Sequence, residues 1–129
     1  MSNTNTKHIQ GWKQLPEKGE VVILTSSLKD VMCLYNMGFP AIALQSEMQI
    51  PDEKLINNLN HRFNNIAILY DNDFNNPNNP GQTMASKICK QFFMKNIYIP
   101  DTYKVKDISD YVARFNSIEG AKTLIECQI

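Results

Sequence analysis

Four short apolar runs, separated by helical patterns, constrain the fold of this chain more than any other feature. They lie at residues 21–24, 41–44, 66–70 and 96–100. Continuous apolar runs of this length are typical of strands buried on both faces of a sheet. Because helical patterns alternate with the runs, the sequence predicts an α/β fold. We expect a three-layer sandwich, in which a mainly parallel four-stranded central sheet has helices on both faces.

Capping signals between the runs support this alternation. Ser27 is a favourable N-cap residue with Asp30 three positions later, and Gly38 is placed to end the helix that they begin. Apolar residues at helical spacing follow the other predicted helix starts. The predicted helices begin near Ser27, Pro51, Gly81, Ser109 and Ser117.

The length and charge of the chain limit its organisation and its partners. Its 129 residues fit one domain, expected at residues 20–129, after a polar N-terminal extension or linker at residues 1–19. Thirteen basic and thirteen acidic residues cancel, so contact with nucleic acid requires a local patch, a bound metal ion or a neighbouring domain. The three cysteines form no CxxC pair, and no apolar segment approaches the roughly 20 residues of a membrane span. We therefore expect a cytoplasmic protein with reduced thiols and no membrane partner.

Two aspartates, Asp71 and Asp73, directly follow the third apolar run. In an extended backbone, residues two apart point the same way, so both carboxylates are expected to converge on one cation. Mg²⁺ is commonly held by one or two carboxylates together with substrate phosphates, and Mn²⁺ accepts similar ligands. Such a pair at a strand end suits phosphoryl or nucleotidyl transfer. The alternative is that both aspartates merely cap a turn.

A second charged cluster follows the fourth run and consists of Lys106, Asp107 and Asp110. Lys106 is a candidate phosphate contact, and Asp107 or Asp110 could orient that lysine or bind a metal ion through water. Alternatively, Asp107 caps the following helix and Lys106 is solvated.

An Asn- and Pro-rich loop at residues 74–82 leads into the third predicted helix. Gly81 opens this helix, whose first amides could bind a phosphate. Lys87, further along, could face nucleic acid. A solvated loop and a solvated lysine are the simpler alternatives.

Together these blocks resemble the Toprim family, which includes bacterial-type primases, topoisomerases and certain nucleases. The resemblance spans about residues 20–115 and rests on VVILTSSLKDVMCLYNMGFPAIA, ILYDND, GQTMASK and KDISDY in this order. It is closest to DNA primases and primase-helicases of phages and mobile elements. It implies a Toprim-like sandwich that uses Mg²⁺ or Mn²⁺ to make RNA primers on single-stranded DNA from nucleoside triphosphates. The implied partners are other domains of a larger primase or a replicative helicase.

The resemblance also implies roles for individual residues. Asp71 and Asp73 are the expected metal ligands and catalytic residues, and Lys106 is the expected catalytic cation. The matching residues expected to contact phosphate or nucleic acid are Asp30, Gly81, Lys106, Asp107 and Asp110. Further candidate contacts, which the family pattern does not supply, are Ser26, Ser27, Lys29 and Lys87.

The chain departs from the family pattern at the end of the first strand, where the family places a Glu followed by Gly. Ser26 and Ser27 stand there instead. Serine is neither an anionic ligand nor a general base. Two alternatives stay open: Glu47, after the second strand, supplies the missing catalytic and metal-binding carboxylate, or catalysis is lost. The rival functions are a Toprim nuclease and a degenerate module that docks nucleic acid or protein.

Overall fold

The computed structural model describes residues 9–45 and 48–129, and a central parallel sheet organises them. The strands are β1 (Gly19–Thr25), β2 (Ala41–Ala43), β3 (Phe63–Leu69) and β4 (Lys95–Ile97). Their order in the sheet is β2-β1-β3-β4, and every neighbouring pair is parallel. The carboxyl ends of all four strands therefore lie at the same edge of the sheet.

Five α-helices cover this sheet in the described part of the chain. Ser27 caps the first of them as predicted, because its Oγ accepts a hydrogen bond from the Asp30 amide at 3.3 Å. The second helix begins after its predicted start at Pro51, since Asp52 is the N-cap and accepts from the Lys54 amide at 3.0 Å. The helices are α1 (Leu28–Asn36), α2 (Glu53–Arg62), α3 (Pro80–Phe92), α4 (Ile108–Phe115) and α5 (Ile118–Glu126).

Alternate residues of the strands enter two separate hydrophobic cores. On one face, Val22 and Ile68 pack with the buried residues of α2 and α3. On the other face, Ile23 and Ala67 pack with the buried residues of α1, α4 and α5. The apolar runs are continuous in sequence because both faces of the sheet are covered. The predicted α/β three-layer sandwich with a four-stranded central sheet is confirmed.

The last strand is shorter than the predicted run at residues 96–100. The backbone of Tyr98 bonds to the side chain of Gln128 instead of a neighbouring strand: its N–H donates to Oε1 at 3.1 Å and its carbonyl accepts from Nε2 at 2.9 Å. Pro100 then leads into a 3₁₀ turn at Asp101–Tyr103. Strand β4 consequently ends at Ile97.

The segment before β1 packs onto the domain from residue 9 onward. Ile9 and Leu15 are buried in the core that α2 and α3 cover. Gln10 and Ala43 exchange two antiparallel backbone hydrogen bonds of 2.9 and 3.0 Å. The predicted boundary at residue 19 stays a prediction, and residues 1–8 lie outside the described residues. None of the described helices combines the length and apolar character that crossing a membrane requires.

Candidate metal centre

The segments that follow β1 and β3 lie side by side at the carboxyl edge of the sheet. Thr25 and Leu69 are in register, and the Thr25 hydroxyl donates to the Leu69 carbonyl at 2.8 Å. One step further, the Asp71 amide donates to the Ser26 Oγ at 3.2 Å. Ser26, which stands where the Toprim pattern has a glutamate, thus holds the backbone of Asp71.

Three aspartates from three different segments converge at this edge. Asp30 lies in the first turn of α1, Asp71 follows β3, and Asp107 is the N-cap of α4. One carboxylate oxygen from each lies within 4.8 Å of the others. Asp30 and Asp107 are buried, and Asp71 is partly exposed. We call these three residues the aspartate cluster.

Hydrogen bonds fix the Asp30 carboxylate within the cluster. Its Oδ1 accepts from the Ser109 hydroxyl at 2.6 Å and from the Ser109 amide at 3.3 Å. Its Oδ2 accepts from the Ser27 hydroxyl at 3.2 Å. Because Ser109 lies in α4, these bonds tie the start of α1 to the start of α4. The carboxylate is therefore oriented before any ligand arrives.

Asp107 has a double role at the start of α4. Its Oδ1 caps the helix by accepting from the Asp110 amide at 2.8 Å. Burial raises the pKa of the Asp107 carboxyl, and the nearby charge of Asp30 raises it further. The Lys29 ammonium lies 3.9 Å from the Asp107 Oδ2, but the lysine side chain is 64% exposed and compensates this charge weakly. The cluster therefore concentrates negative charge in a poorly solvated place, which favours a bound cation.

We expect Asp107→Asn to raise the free energy of unfolding of the metal-free protein at pH 7. Asparagine also caps helices, and it removes a buried charge. The pKa of Asp107 is raised in the folded state, so the ionised aspartate destabilises the fold when the pH is above that pKa. This destabilisation disappears when the pH falls below the pKa of Asp107 in the unfolded chain. The advantage of the variant should shrink as the pH falls to about 3. Urea unfolding at both pH values measures it, and a variant less stable than the wild type at pH 7 contradicts the expectation.

A cavity of about 380 Å³ opens beside the aspartate cluster. Its lining includes two lysines, two of the clustered aspartates and the two serines that follow β1. Most of these residues were expected from the sequence to contact phosphate or nucleic acid. The lining residues are Ser26, Ser27, Lys29, Asp71, Lys106 and Asp107.

Asp73 lies outside the aspartate cluster, unlike the sequence expectation that it converges with Asp71. The backbone is not extended there, because the Phe74 amide donates to the Asn72 carbonyl at 2.9 Å and closes a tight turn around Asp73. The alternation of side chains assumed for a strand therefore ends before this residue. The Asp73 Oδ2 instead accepts from the Gly81 amide at 3.3 Å, so it occupies the helix amide that was expected to meet a phosphate.

Two asparagines that the sequence analysis did not single out hold this loop. The buried Asn72 donates through Nδ2 to the Ile99 carbonyl at 2.7 Å and to the Asp101 carboxylate at 2.6 Å. Its Oδ1 accepts from Asn79 at 2.8 Å, and the Asn79 Oδ1 in turn accepts from the Asp73 amide at 2.8 Å. Asn72 lies in the ILYDND block and Asn79 in the asparagine-rich loop, and neither signal indicates that these two side chains hold the loop.

A second and larger cavity, of about 810 Å³, lies between this loop and α4, and we call it the α4 cavity. It is lined by residues 73–76 and 80, by residues 104–106, and by Asp110, Ala113 and Arg114. Lys106 lines both cavities, so the α4 cavity adjoins the aspartate cluster. Asp110 is half-buried at its wall.

For two further residues that the sequence predicted at the site, the structure gives no place in either cavity. Lys87 is exposed on α3 and lines neither the small cavity nor the α4 cavity. Glu47 lies outside the described residues, so its proposed compensation for Ser26 stays a prediction.

In comparisons with known proteins, no family model matches this chain, and no curated protein matches it either. The Toprim resemblance therefore stays a prediction that rests on the order of the sequence blocks.

Proposed function

We propose that this chain is a Toprim-type catalytic domain of a DNA primase, which joins ribonucleotides on a single-stranded DNA template with the help of Mg²⁺ or Mn²⁺. The observation that carries the proposal is the convergence of Asp30, Asp71 and Asp107 within 4.8 Å. It occurs at the carboxyl edge of a parallel sheet, where α/β proteins commonly bind their ligands. The partners in this proposal are nucleoside triphosphates, the template, and further primase domains or a replicative helicase.

The donor set of the aspartate cluster fits Mg²⁺ or Mn²⁺. Both ions prefer carboxylate oxygens, and an octahedral ion with ligands at about 2.1 Å has opposite ligands about 4.2 Å apart. Three ligands of such an ion include at least two adjacent pairs, about 3.0 Å apart at this bond length. The oxygens of the cluster lie within 4.8 Å of one another, so the side chains must draw together by up to about 2 Å to bind one ion. When bound, the ion supplies charge neutralisation for the reacting phosphates.

The residues around the cluster perform the remaining tasks. Ser109 and Ser27 hold the Asp30 carboxylate in place, and Ser26 holds the backbone of Asp71. Lys106 lies at the cavity wall, where its charge attracts a phosphate and reduces repulsion from the carboxylates. The buried setting of Asp30 and Asp107 strengthens these electrostatic interactions compared with water.

Titration of the purified chain with Mn²⁺ in a calorimeter tests the proposal. We expect saturable binding at pH 7, which weakens at acid pH because the carboxylates must be ionised to bind the ion. The absence of any saturable heat would contradict the metal site and would favour the docking module instead.

A labelled single strand incubated with Mn²⁺, with and without nucleoside triphosphates, then separates the two enzymatic alternatives. In a parallel reaction with an unlabelled strand and labelled nucleoside triphosphates, new labelled oligoribonucleotides that form only when the strand is present support primase chemistry. Shorter products without nucleotides would instead establish the Toprim nuclease, which uses similar ligands to cleave a phosphodiester.

A further inference from the structure

The α4 cavity contains more positive charge than its own residues neutralise. Lys104, Lys106 and Arg114 line it together with two carboxylates, Asp73 and Asp110. The Asp73 carboxylate accepts from a helix amide, and the Asp110 Oδ1 lies 3.9 Å from the Lys29 ammonium. Within residues 9–45 and 48–129, the ion pairs closer than 4.0 Å involve none of these three cations. Three cations against two carboxylates leave the lining with a net positive charge, which suits a ligand that carries phosphates.

The same cavity also has an aromatic and apolar wall. Phe74 is partly exposed, and the Lys104 ammonium lies 5.8 Å from the centre of its ring. Pro80, Val105 and Ala113 extend the apolar lining. Planar nucleobases stack on such rings whatever their sequence, while nearby cations contact the phosphates. The volume of about 810 Å³ lies within the range of small-molecule sites.

We propose that the α4 cavity binds a nucleotide, with the base against Phe74 and the phosphates against Lys104, Lys106 and Arg114. The role of this nucleotide as a substrate rests on the proposed function. Lys106 lines both this cavity and the one beside the aspartate cluster, so a phosphate chain that contacts it is adjacent to the metal centre. An apolar ring beside several cations selects a nucleotide over inorganic phosphate.

Calorimetry in EDTA, without divalent ions, tests this site separately from the metal centre. The probes are ATP, tripolyphosphate and a 5′-phosphorylated oligothymidylate. We expect ATP to bind more tightly than tripolyphosphate, because only ATP has a base for Phe74. Tighter binding of ATP than of the oligonucleotide supports a free nucleotide as the ligand. The reverse order overturns that assignment and identifies a nucleic-acid strand as the ligand instead.

Variants of the lining residues show which residue contacts the base and which contacts the phosphates. Phe74→Leu should weaken ATP binding about tenfold and leave tripolyphosphate unchanged, since only ATP has a base that stacks on the ring. Phe74→Trp should restore ATP binding. Arg114→Gln should weaken both ligands about tenfold, because a charged hydrogen bond is lost. Lys54→Gln, on α2 at the opposite face of the sheet, is the control and should bind both ligands as the wild type does.

The proposal is overturned if no probe binds, or if ATP and tripolyphosphate bind equally and Phe74→Leu changes neither affinity. Thermal melting confirms that each variant folds, and the tryptophan variant tests the stacking even if leucine disturbs the loop. ATP binding in EDTA by a chain that binds no Mn²⁺ would support this site while contradicting the proposed metal centre. Mn²⁺ binding without nucleotide binding would support the metal centre and overturn the nucleotide site.

Discussion

Gly81→Ala is expected to destabilise the fold by about 3 kcal/mol, the upper end of the usual cost of overpacking a core. Gly81 is buried in the first turn of α3. A Cβ at this position would overlap the Asp71 carbonyl oxygen and lie 3.1 Å from its carbonyl carbon. Both contacts are with backbone, so relief requires α3 to move away from the segment that carries Asp71.

The sign of this effect makes the test decisive. Within a helix, glycine-to-alanine substitutions normally stabilise by about 0.5–1 kcal/mol, because alanine has the higher helix propensity. A loss of stability therefore reports the close approach of α3 to Asp71 and not a change in helix propensity. Urea unfolding measures the difference, with Ser86→Ala on the exposed side of α3 as the control, which should stabilise slightly through helix propensity alone. A Gly81→Ala protein as stable as the wild type would contradict the close approach.

Gly81→Ala is also expected to affect metal binding. Gln82, next in the chain, donates through Nε2 to the carbonyls of Tyr70 and Asp71 at 3.2 and 3.3 Å. Movement of α3 would strain these bonds and shift the backbone that carries the Asp71 carboxylate. We therefore expect Gly81→Ala to weaken Mn²⁺ binding even under conditions where the protein remains folded.

The fold could be predicted from sequence because its signals are local. The run at residues 21–24 can be buried on both sides only in a covered sheet, and Ser27 with Asp30 begins a helix directly after it. Interactions between distant segments carry no such signal. Gln128 ends β4 through bonds to Tyr98, and nothing in the local sequence around residues 96–100 indicates this.

Prediction of the candidate site from sequence is limited in the same way, because the site joins distant segments. The sequence identified Asp71 correctly as a strand-end aspartate, and the KDISDY block was noticed for its charge. The pairing of Asp71 with Asp73 assumed an extended backbone, whereas the chain turns at Asp73, where the Phe74 amide bonds to the Asn72 carbonyl. The convergence of Asp30 and Asp107 on Asp71 depends on the order of β1, β3 and β4 in the sheet, which the sequence does not reveal.

Asp71→Asn is expected to weaken Mn²⁺ binding by more than about 100-fold, which exceeds the usual effect of residues that only support a metal ligand. Asparagine keeps the size and shape of the side chain but removes the negative charge. In the aspartate cluster, Asp71 is the member at the open side, since Asp30 and Asp107 are buried. Asp73→Asn is the matched comparison and should change Mn²⁺ binding far less, because Asp73 lies outside the cluster.

The comparison between these two variants separates position from charge. Each variant removes one negative charge from the same loop, so a general electrostatic effect on cation binding would be similar in both. Only coordination by the aspartate cluster predicts a large loss for Asp71→Asn and a small one for Asp73→Asn. Equal large losses would mean that the loop rearranges around the ion, so that both aspartates coordinate it as the sequence alone predicts. Unchanged binding in both variants would place the ion elsewhere and would remove the basis for a metal-dependent polymerase at this edge of the sheet.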